Sequence, residues 1–376
     1  MKMKKMALKT ASFLAAASLL TALPLSIPDA AYNADTFTAY ADETEGDLRY
    51  IVDDDHVVIT GCSENATDIK IPESIGGKPV TAIDDYAFDA ASITSVTIPD
   101  SVKTIGNWSF SLCTELKSLT IPDSVEYIGI RAFEMNSSLT EVNFPDHMIE
   151  IDSLAFEDTP WLTAQRKKDP FVVVNGALID AQATKGDVVI PSSIKYVSPS
   201  AFARNENITS VVFPSSVKKL NDSTFFYCTN LTSADLRYVT EIEGMSFAGC
   251  EKLKDLKLSG KLTSINYYAF ADIKGPAEIT VFGSKSDWEK VEKSDEDEFL
   301  NNATYKFDES VVPEDDVKGD VNDDGELTTA DLVLMSKWLL GTKDVSLKNW
   351  EAGDFISDGR IDTFDLVMMR KAVIEK

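Results

Sequence analysis

Leu116-Lys117-Ser118-Leu119-Thr120-Ile121-Pro122-Asp123-Ser124-Val125-Glu126-Tyr127-Ile128-Gly129, closed by Ala132-Phe133, is the stretch that decides the architecture of this chain. Leu116, Leu119 and Ile121 point inward from one short strand, and Pro122 ends it because proline cannot donate to a β ladder. Val125 and Ile128 form a second inward pair, and Phe133 plugs the turn that follows. One such unit cannot bury its own apolar side, whereas stacked units build a continuous core. The copies exist. From Phe88 through Phe110, Phe133, Phe156, Phe202, Phe225, Phe247 and Phe270 the same grammar returns at spacings of 22, 23, 23, 46, 23, 22 and 23 residues. The expected fold is a mainly β solenoid of about 23 residues per unit, with short turns or helices between strands.

The spacing of 46 equals two units, so one unit is replaced or invaded between Pro160 and Val189. Within that gap, Phe171-Val172-Val173-Val174 and Ala177-Leu178-Ile179 flank Asn175-Gly176, which reads as a hairpin inserted near 169–189. Residues from Gly46 to Ile71 read as an N-terminal cap, and Ile279 to Phe307, with Trp288, as the closing cap. Outward strand positions such as Thr94, Ser95, Thr97, Lys117, Ser118, Thr120, Thr140, Glu141, Asn143, Thr209, Ser210, Val212, Lys254, Asp255 and Lys257 are mostly small or polar. They carry no aromatic platform for stacking sugars, which leaves a protein ligand or a plainly solvated face.

This portion resembles the leucine-rich repeats of bacterial surface antigens, through I-P-x-S-V followed by I-G-x-x-A-F recurring in phase. The resemblance implies a binding or scaffold role, often with an unknown ligand, and no chemistry.

Composition sets outer limits. The 376 residues are 44% hydrophobic, enough for two domains plus export and linker segments. A formal charge of −26 argues against nucleic-acid and anionic-membrane partners, since any basic patch would sit in a repulsive field. Lys2, Lys4, Lys5 and Lys9 precede an apolar stretch from Ala11 to Leu23, the pattern of an export signal over residues 1–41, with cleavage after Ala31, Ala34 or Ala41. A signal anchor is the competing reading, but the apolar core is short for a bilayer and no membrane insertion is expected. The expected location is therefore extracellular. Cys113, Cys228 and Cys250 each follow a repeat phenylalanine by three residues, so they share one slot and read as small buried thiols. A Cys228–Cys250 disulfide between neighbouring repeats stays open as the alternative.

After an acidic linker (308–318) the remaining chain, 319–376, is duplicated: Asp331-Leu332-Val333-Leu334-Met335 aligns with Asp365-Leu366-Val367-Met368-Met369 at an offset of 34. Each helix-forming run follows a loop of EF-hand type. In the first, Asp320, Asn322 and Asp324 take positions 1, 3 and 5, Gly325 makes the turn, Glu326 offers its carbonyl, Thr328 sits at position 9 and Asp331 closes at position 12. Calcium takes six to eight oxygens, and this spacing wraps them around one ion. The second loop places Asp354, Asp358, Arg360 (through its carbonyl), Asp362 and Asp365 in register, but position 3 is Ile356, which has no side-chain oxygen. Either water fills the gap and calcium binds more weakly, the favoured reading, or Ile356 packs inward and the loop folds without metal.

The segment resembles a type I dockerin, with an aspartate where a sensor EF-hand carries glutamate and with Leu347-Lys348-Asn349-Trp350 bridging the halves. The resemblance implies a cohesin of a cellulosomal scaffoldin as partner, in a polysaccharide-degrading complex. It carries cohesin contact to Thr329, Ala330, Leu334, Lys337 and Trp338, or to their mates Thr363, Phe364, Met368 and Lys371. Helical spacing agrees: Leu332, Met335 and Leu339 make a stripe for the module's own core, and Val333, Leu334, Lys337 and Trp338 make a second one. Unequal halves favour one binding orientation.

No enzyme is expected. His56 and His147 belong to no Ser/His/Asp or Cys/His arrangement, and pairs among 62 acidic residues are uninformative about a glycosidase. An accessory hydrolase or carbohydrate-binding protein of the same complex is the alternative.

Overall fold

The structure, a computed structural model, describes residues 43–274, 277–293, 297–309, 318–322, 327–343, 345–347, 349–356 and 360–374. The expected export signal, most of the linker, and Asp324, Glu326 and Asp358 lie outside them.

Each repeat contributes two short rungs, one to each of two parallel walls, and the whole makes a β solenoid of about 11 turns. The first wall holds Asp68–Lys70 beside Ser95–Thr97, Ser118–Thr120 beside Glu141–Asn143, and then a six-stranded run from Gly186–Val189 to Thr304–Phe307. The second holds the two-residue rungs Thr104–Ile105, Tyr127–Ile128 and Glu150–Ile151, and later Lys219–Leu220, Glu241–Ile242 and Ser264–Ile265. Register advances by one unit per rung, with Tyr127 paired to Thr104 on one side and Glu150 on the other. Leu116, Leu119, Ile121, Val125, Ile128 and Phe133 are all buried, as their spacing requires.

The turn between walls is where the fold is most constrained. Two residues before and two after each repeat phenylalanine, the backbone enters the left-handed region: Tyr86 and Ala90 around Phe88, Trp108 and Leu112 around Phe110, Arg131 and Met135 around Phe133. For a non-glycine residue this costs about 1–2 kcal/mol each. Two things offset it. Turn by turn, Tyr86, Phe88 and Ala90 donate their N–H groups to the carbonyls of Asn107, Ser109 and Ser111 at 2.7–2.9 Å. The phenylalanine rings also stack along the axis, with Phe88–Phe110, Phe110–Phe133 and Phe133–Phe156 centroids 4.8, 5.2 and 5.2 Å apart. The isoleucine-glycine step has a related cause. A Cβ on Gly106 or Gly129 would lie 2.7 Å from backbone atoms of the preceding turn.

The shared cysteine slot faces the same ladder. The thiols of Cys113, Cys228 and Cys250 donate to the carbonyls of Phe88, Phe202 and Phe225, each at 3.1 Å, and all four cysteines are free. Desolvation pushes the Cys113 and Cys228 thiols up to about 12, so they stay protonated.

At the interruption the chain forms helix α1 (Pro160–Lys168), capped by Thr159, whose hydroxyl accepts from the Leu162 N–H. The strands Val172–Val174 and Ala177–Asp180 then pair antiparallel across Asn175-Gly176. Arg166 clamps this insertion: its guanidinium meets Asp180 at 2.8 and 2.6 Å and Glu157 at 2.7 Å. The Arg166 pKa is raised: burial alone would lower it, but the hydrogen bonds and charges of these two carboxylates outweigh burial. Trp161 caps the first ring stack on Phe156, at 4.9 Å. The apolar core accordingly divides into one cluster from Leu48 to Val174 and another from Leu178 to Leu300. Across the break the turn edges still meet, with Ser153 Oγ donating to Ser200 Oγ at 2.5 Å.

Both ends differ from a bare rung. At the N-terminal end, Leu48–Asp53 and His56–Cys62 pair antiparallel. The segment expected as a closing cap instead prolongs the stack. Glu278–Phe282 and Thr304–Phe307 are parallel rungs, joined through the short helices α2 (Lys285–Trp288) and α3 (Glu298–Asn301), and Phe299 stacks 5.1 Å from Phe270. A different local sequence supplies the same ring.

Gly249, with φ of +75°, holds the second left-handed position of its turn, and a Cβ there would lie 3.0 Å from the Tyr227 ring. Gly249→Ala should therefore cost about 1–2 kcal/mol, whereas Ala90→Gly, at the equivalent position of the first turn, relieves the left-handed strain and should leave stability unchanged or raise it by up to about 1 kcal/mol. Urea titrations of both variants check the pair, and equal losses would contradict it. Arg166→Ala leaves the nearly buried Asp180 carboxylate uncompensated and should cost about 3 kcal/mol. Amide exchange across 160–180 would report the loss locally.

Candidate functional site

The C-terminal module packs two loop–helix units around Val321, Leu327, Met335, Ile361 and Met369. Helix α4 (Thr329–Leu339) and helix α5 (Thr363–Ile374) follow the two loops. Thr328 caps α4, its hydroxyl accepting from the Ala330 N–H at 3.1 Å. Asp331, at the third helical position, reaches back to the Thr328 N–H at 2.9 Å, which completes a capping box. Its other carboxylate oxygen accepts the Asn322 N–H at 3.1 Å, so one fully buried side chain ties helix to loop.

The second unit repeats these backbone bonds. Asp365 accepts from Asp362 N–H at 2.9 Å and from Ile356 N–H at 3.1 Å, and Asp362 caps the Phe364 N–H at 2.7 Å. Position 3 thus contributes a backbone bond that any residue can make, and Ile356 makes it as well as Asn322. Ile356 is 47% exposed and so does not pack inward.

Asp320, Asp331, Asp354 and Asp365 are all at most 8% exposed. Buried carboxylates demand compensation by hydrogen bonds or a cation. Asn322, Thr328, Asp362 and the Arg360 carbonyl also carry hard oxygens, the kind of ligand that calcium takes. Among the described residues no group of three His, Cys, Asp or Glu side chains closes on a common point; Asp324, Glu326 and Asp358 are not among those residues.

The candidate partner residues divide. Thr329, Ala330, Lys337, Thr363, Phe364, Met368 and Lys371 are exposed. Leu334 and Trp338 are not free-standing: like Leu332 and Leu339, both lie half-buried against the module's own core. Two apolar stripes on an eleven-residue helix wrap far enough around it to touch one core from both edges. Val367, which helical spacing puts on the same outer stripe as Met368 and Lys371, is 63% exposed.

In the solenoid, His56 stands beside Asp53 and Asp55, and His147 is exposed. No helix of the described residues is long and apolar enough to cross a membrane.

Comparisons with known proteins agree with these two parts. The family model for the BspA type leucine-rich repeat region matches residues 60–166 and 182–290 in six copies, and the Dockerin type I domain matches residues 318–374. The repeat match breaks over 167–181, from the end of α1 through the hairpin. Among solved structures, a leucine-rich repeat protein of T. pallidum is 24% identical, covering 57% of this chain and 91% of that one at a TM-score of 0.33. A leucine-rich cell surface protein of Faecalibacterium prausnitzii A2-165 is 22% identical, covering 68% and 98% at a TM-score of 0.30. The pneumococcal vaccine antigen PcpA is 14% identical, covering 71% and 98% at 0.32. No curated protein matches the chain. Dockerin type I domains generally bind calcium and imply a cohesin-binding module of cellulosome type, while leucine-rich repeats imply a protein-binding module; no catalytic domain is found. The chain belongs to the BspA-type leucine-rich repeat family and ends in a type I dockerin domain.

Proposed function

We propose that this protein is a secreted, non-catalytic component of a cellulosome-type complex. Its dockerin binds a scaffoldin cohesin in a calcium-dependent way and so displays the leucine-rich repeats as a protein-binding or adhesion module. The observation that carries the reading is the duplicated pair of buried aspartates, Asp331 and Asp365, each holding a loop backbone to the first turn of its helix through matching bonds. The basic n-region and apolar stretch at the start of the sequence support export.

Asp320, Asn322, Asp324, the Glu326 carbonyl, Thr328 and Asp331 would hold one calcium ion. Asp354, Asp358, the Arg360 carbonyl, Asp362 and Asp365 would hold a second one more weakly, because Ile356 supplies no oxygen. The bound ion would neutralise carboxylates that the fold already buries. The residues themselves fix where each helix starts, and therefore how its outer face is presented.

Binding of the full chain to an array of type I cohesins, with calcium and with chelator, tests this reading. Calcium-dependent capture is expected; calcium-independent binding, or none to any cohesin, would remove it. Separately, Asp331→Ala in saturating calcium leaves the Thr328 and Asn322 N–H groups without their acceptor, a loss of about 2 kcal/mol. Amide exchange over Thr329–Leu339 should quicken more than tenfold while the solenoid amides stay unchanged.

A further inference from the structure

The two halves of the dockerin match in backbone and differ in surface. At the offset of 34, Ala330 faces Phe364, Leu334 faces Met368, and Asn322 faces Ile356. Phe364 is larger than Ala330, Met368 is exposed where Leu334 is half-buried, and Ile356 is apolar where Asn322 is polar; Val333 and Leu340 are the exposed apolar residues of the first half. Phe364 is 70% exposed, Met368 42% and Ile356 47%, whereas Leu334 lies half-buried on the module's core. Val367 adds a further exposed side chain at 63%. All four stand on the second loop or the first turns of α5, since the Ile356 N–H is bonded to Asp365. An apolar surface of this kind on a small module marks a contact site.

We infer that the second half, through Ile356, Phe364, Val367 and Met368, is the half that seats the cohesin, in a single orientation, and that Ile356 is a partner contact placed where the first loop keeps a cation ligand. The inference rests on the cohesin-binding reading above. It accounts for a residue that this reading treats only as a defect. Because position 3 holds Asp365 through its backbone, the side chain there can be exchanged without losing the start of α5. An oxygen has been given up for exposed apolar area, beside a helix whose Phe364, Val367 and Met368 are also exposed.

The experiment uses the full chain in saturating calcium and the type I cohesin from the array that captures the wild type. Val333 and Val367 are equivalent, exposed valines at 53% and 63%, so Val333→Ser and Val367→Ser form a matched pair. Val367→Ser and Phe364→Ser should each weaken cohesin binding about tenfold or more, and Val333→Ser less than about twofold. Ile356→Asn should weaken cohesin binding several-fold while calorimetry shows tighter calcium binding at the second loop. Circular dichroism in calcium verifies that each variant keeps its helices; the changed residues are all exposed. A larger loss from Val333→Ser than from Val367→Ser overturns the assignment of the half. Stronger cohesin binding by Ile356→Asn overturns the role given to Ile356. Failure of the wild type to bind any cohesin instead removes the underlying reading, and this inference with it.

Discussion

A turn that enters the left-handed region twice within five residues exists only because its neighbours hold it. Isolated, the segment around Phe110 would bear the steric cost of Trp108 and Leu112 with nothing to offset it. Stacked, it gives N–H groups to the turn after it and accepts from the turn before, while its ring lies between Phe88 and Phe133. Nearly everything else in the solenoid follows from keeping those turns one rung apart. Glycine is needed where the preceding backbone comes closest, small residues such as Ala132 sit beside the ring, and the cysteine slot uses a thiol to cap a phenylalanine carbonyl. Stability of this kind is shared between neighbours, as in other repeat proteins.

The break between Phe156 and Phe202 shows how much freedom the constraint leaves. A unit can be lost if something else covers the exposed faces of the two cores. Here Trp161 closes one ring stack, the hairpin supplies apolar strands, and Arg166 satisfies two carboxylates at the seam. At the other end Phe299 arrives from a short helix and still takes its place in the column. The ladder specifies a ring at a position in space, and the route by which the chain delivers it is free.

The dockerin follows a different economy. Its loops are built around buried aspartates that serve the helix start first, through backbone bonds that do not depend on the neighbouring side chains. That separation lets the two halves keep one backbone while their surfaces diverge. An apolar residue at position 3 is tolerable for the fold, and its side chain is left on the outer surface.

The repeat length, the inward residues and the duplicated loops were legible in the sequence by itself, because each is a local pattern whose period matches one structural unit. Leu119, Val125 and Phe133 are buried for the reason their spacing announces. The left-handed turns had no such signal, since tyrosine, tryptophan, arginine and methionine occupy positions that composition would reserve for glycine or asparagine. Only the tertiary structure decided that the supposed closing cap is a further rung, that Arg166 joins Glu157 to Asp180, and that Leu334 and Trp338 rest on the module's core. Each of those depends on contacts between residues distant in the chain, or on the direction one helix turns toward another, and neither leaves a period in the sequence.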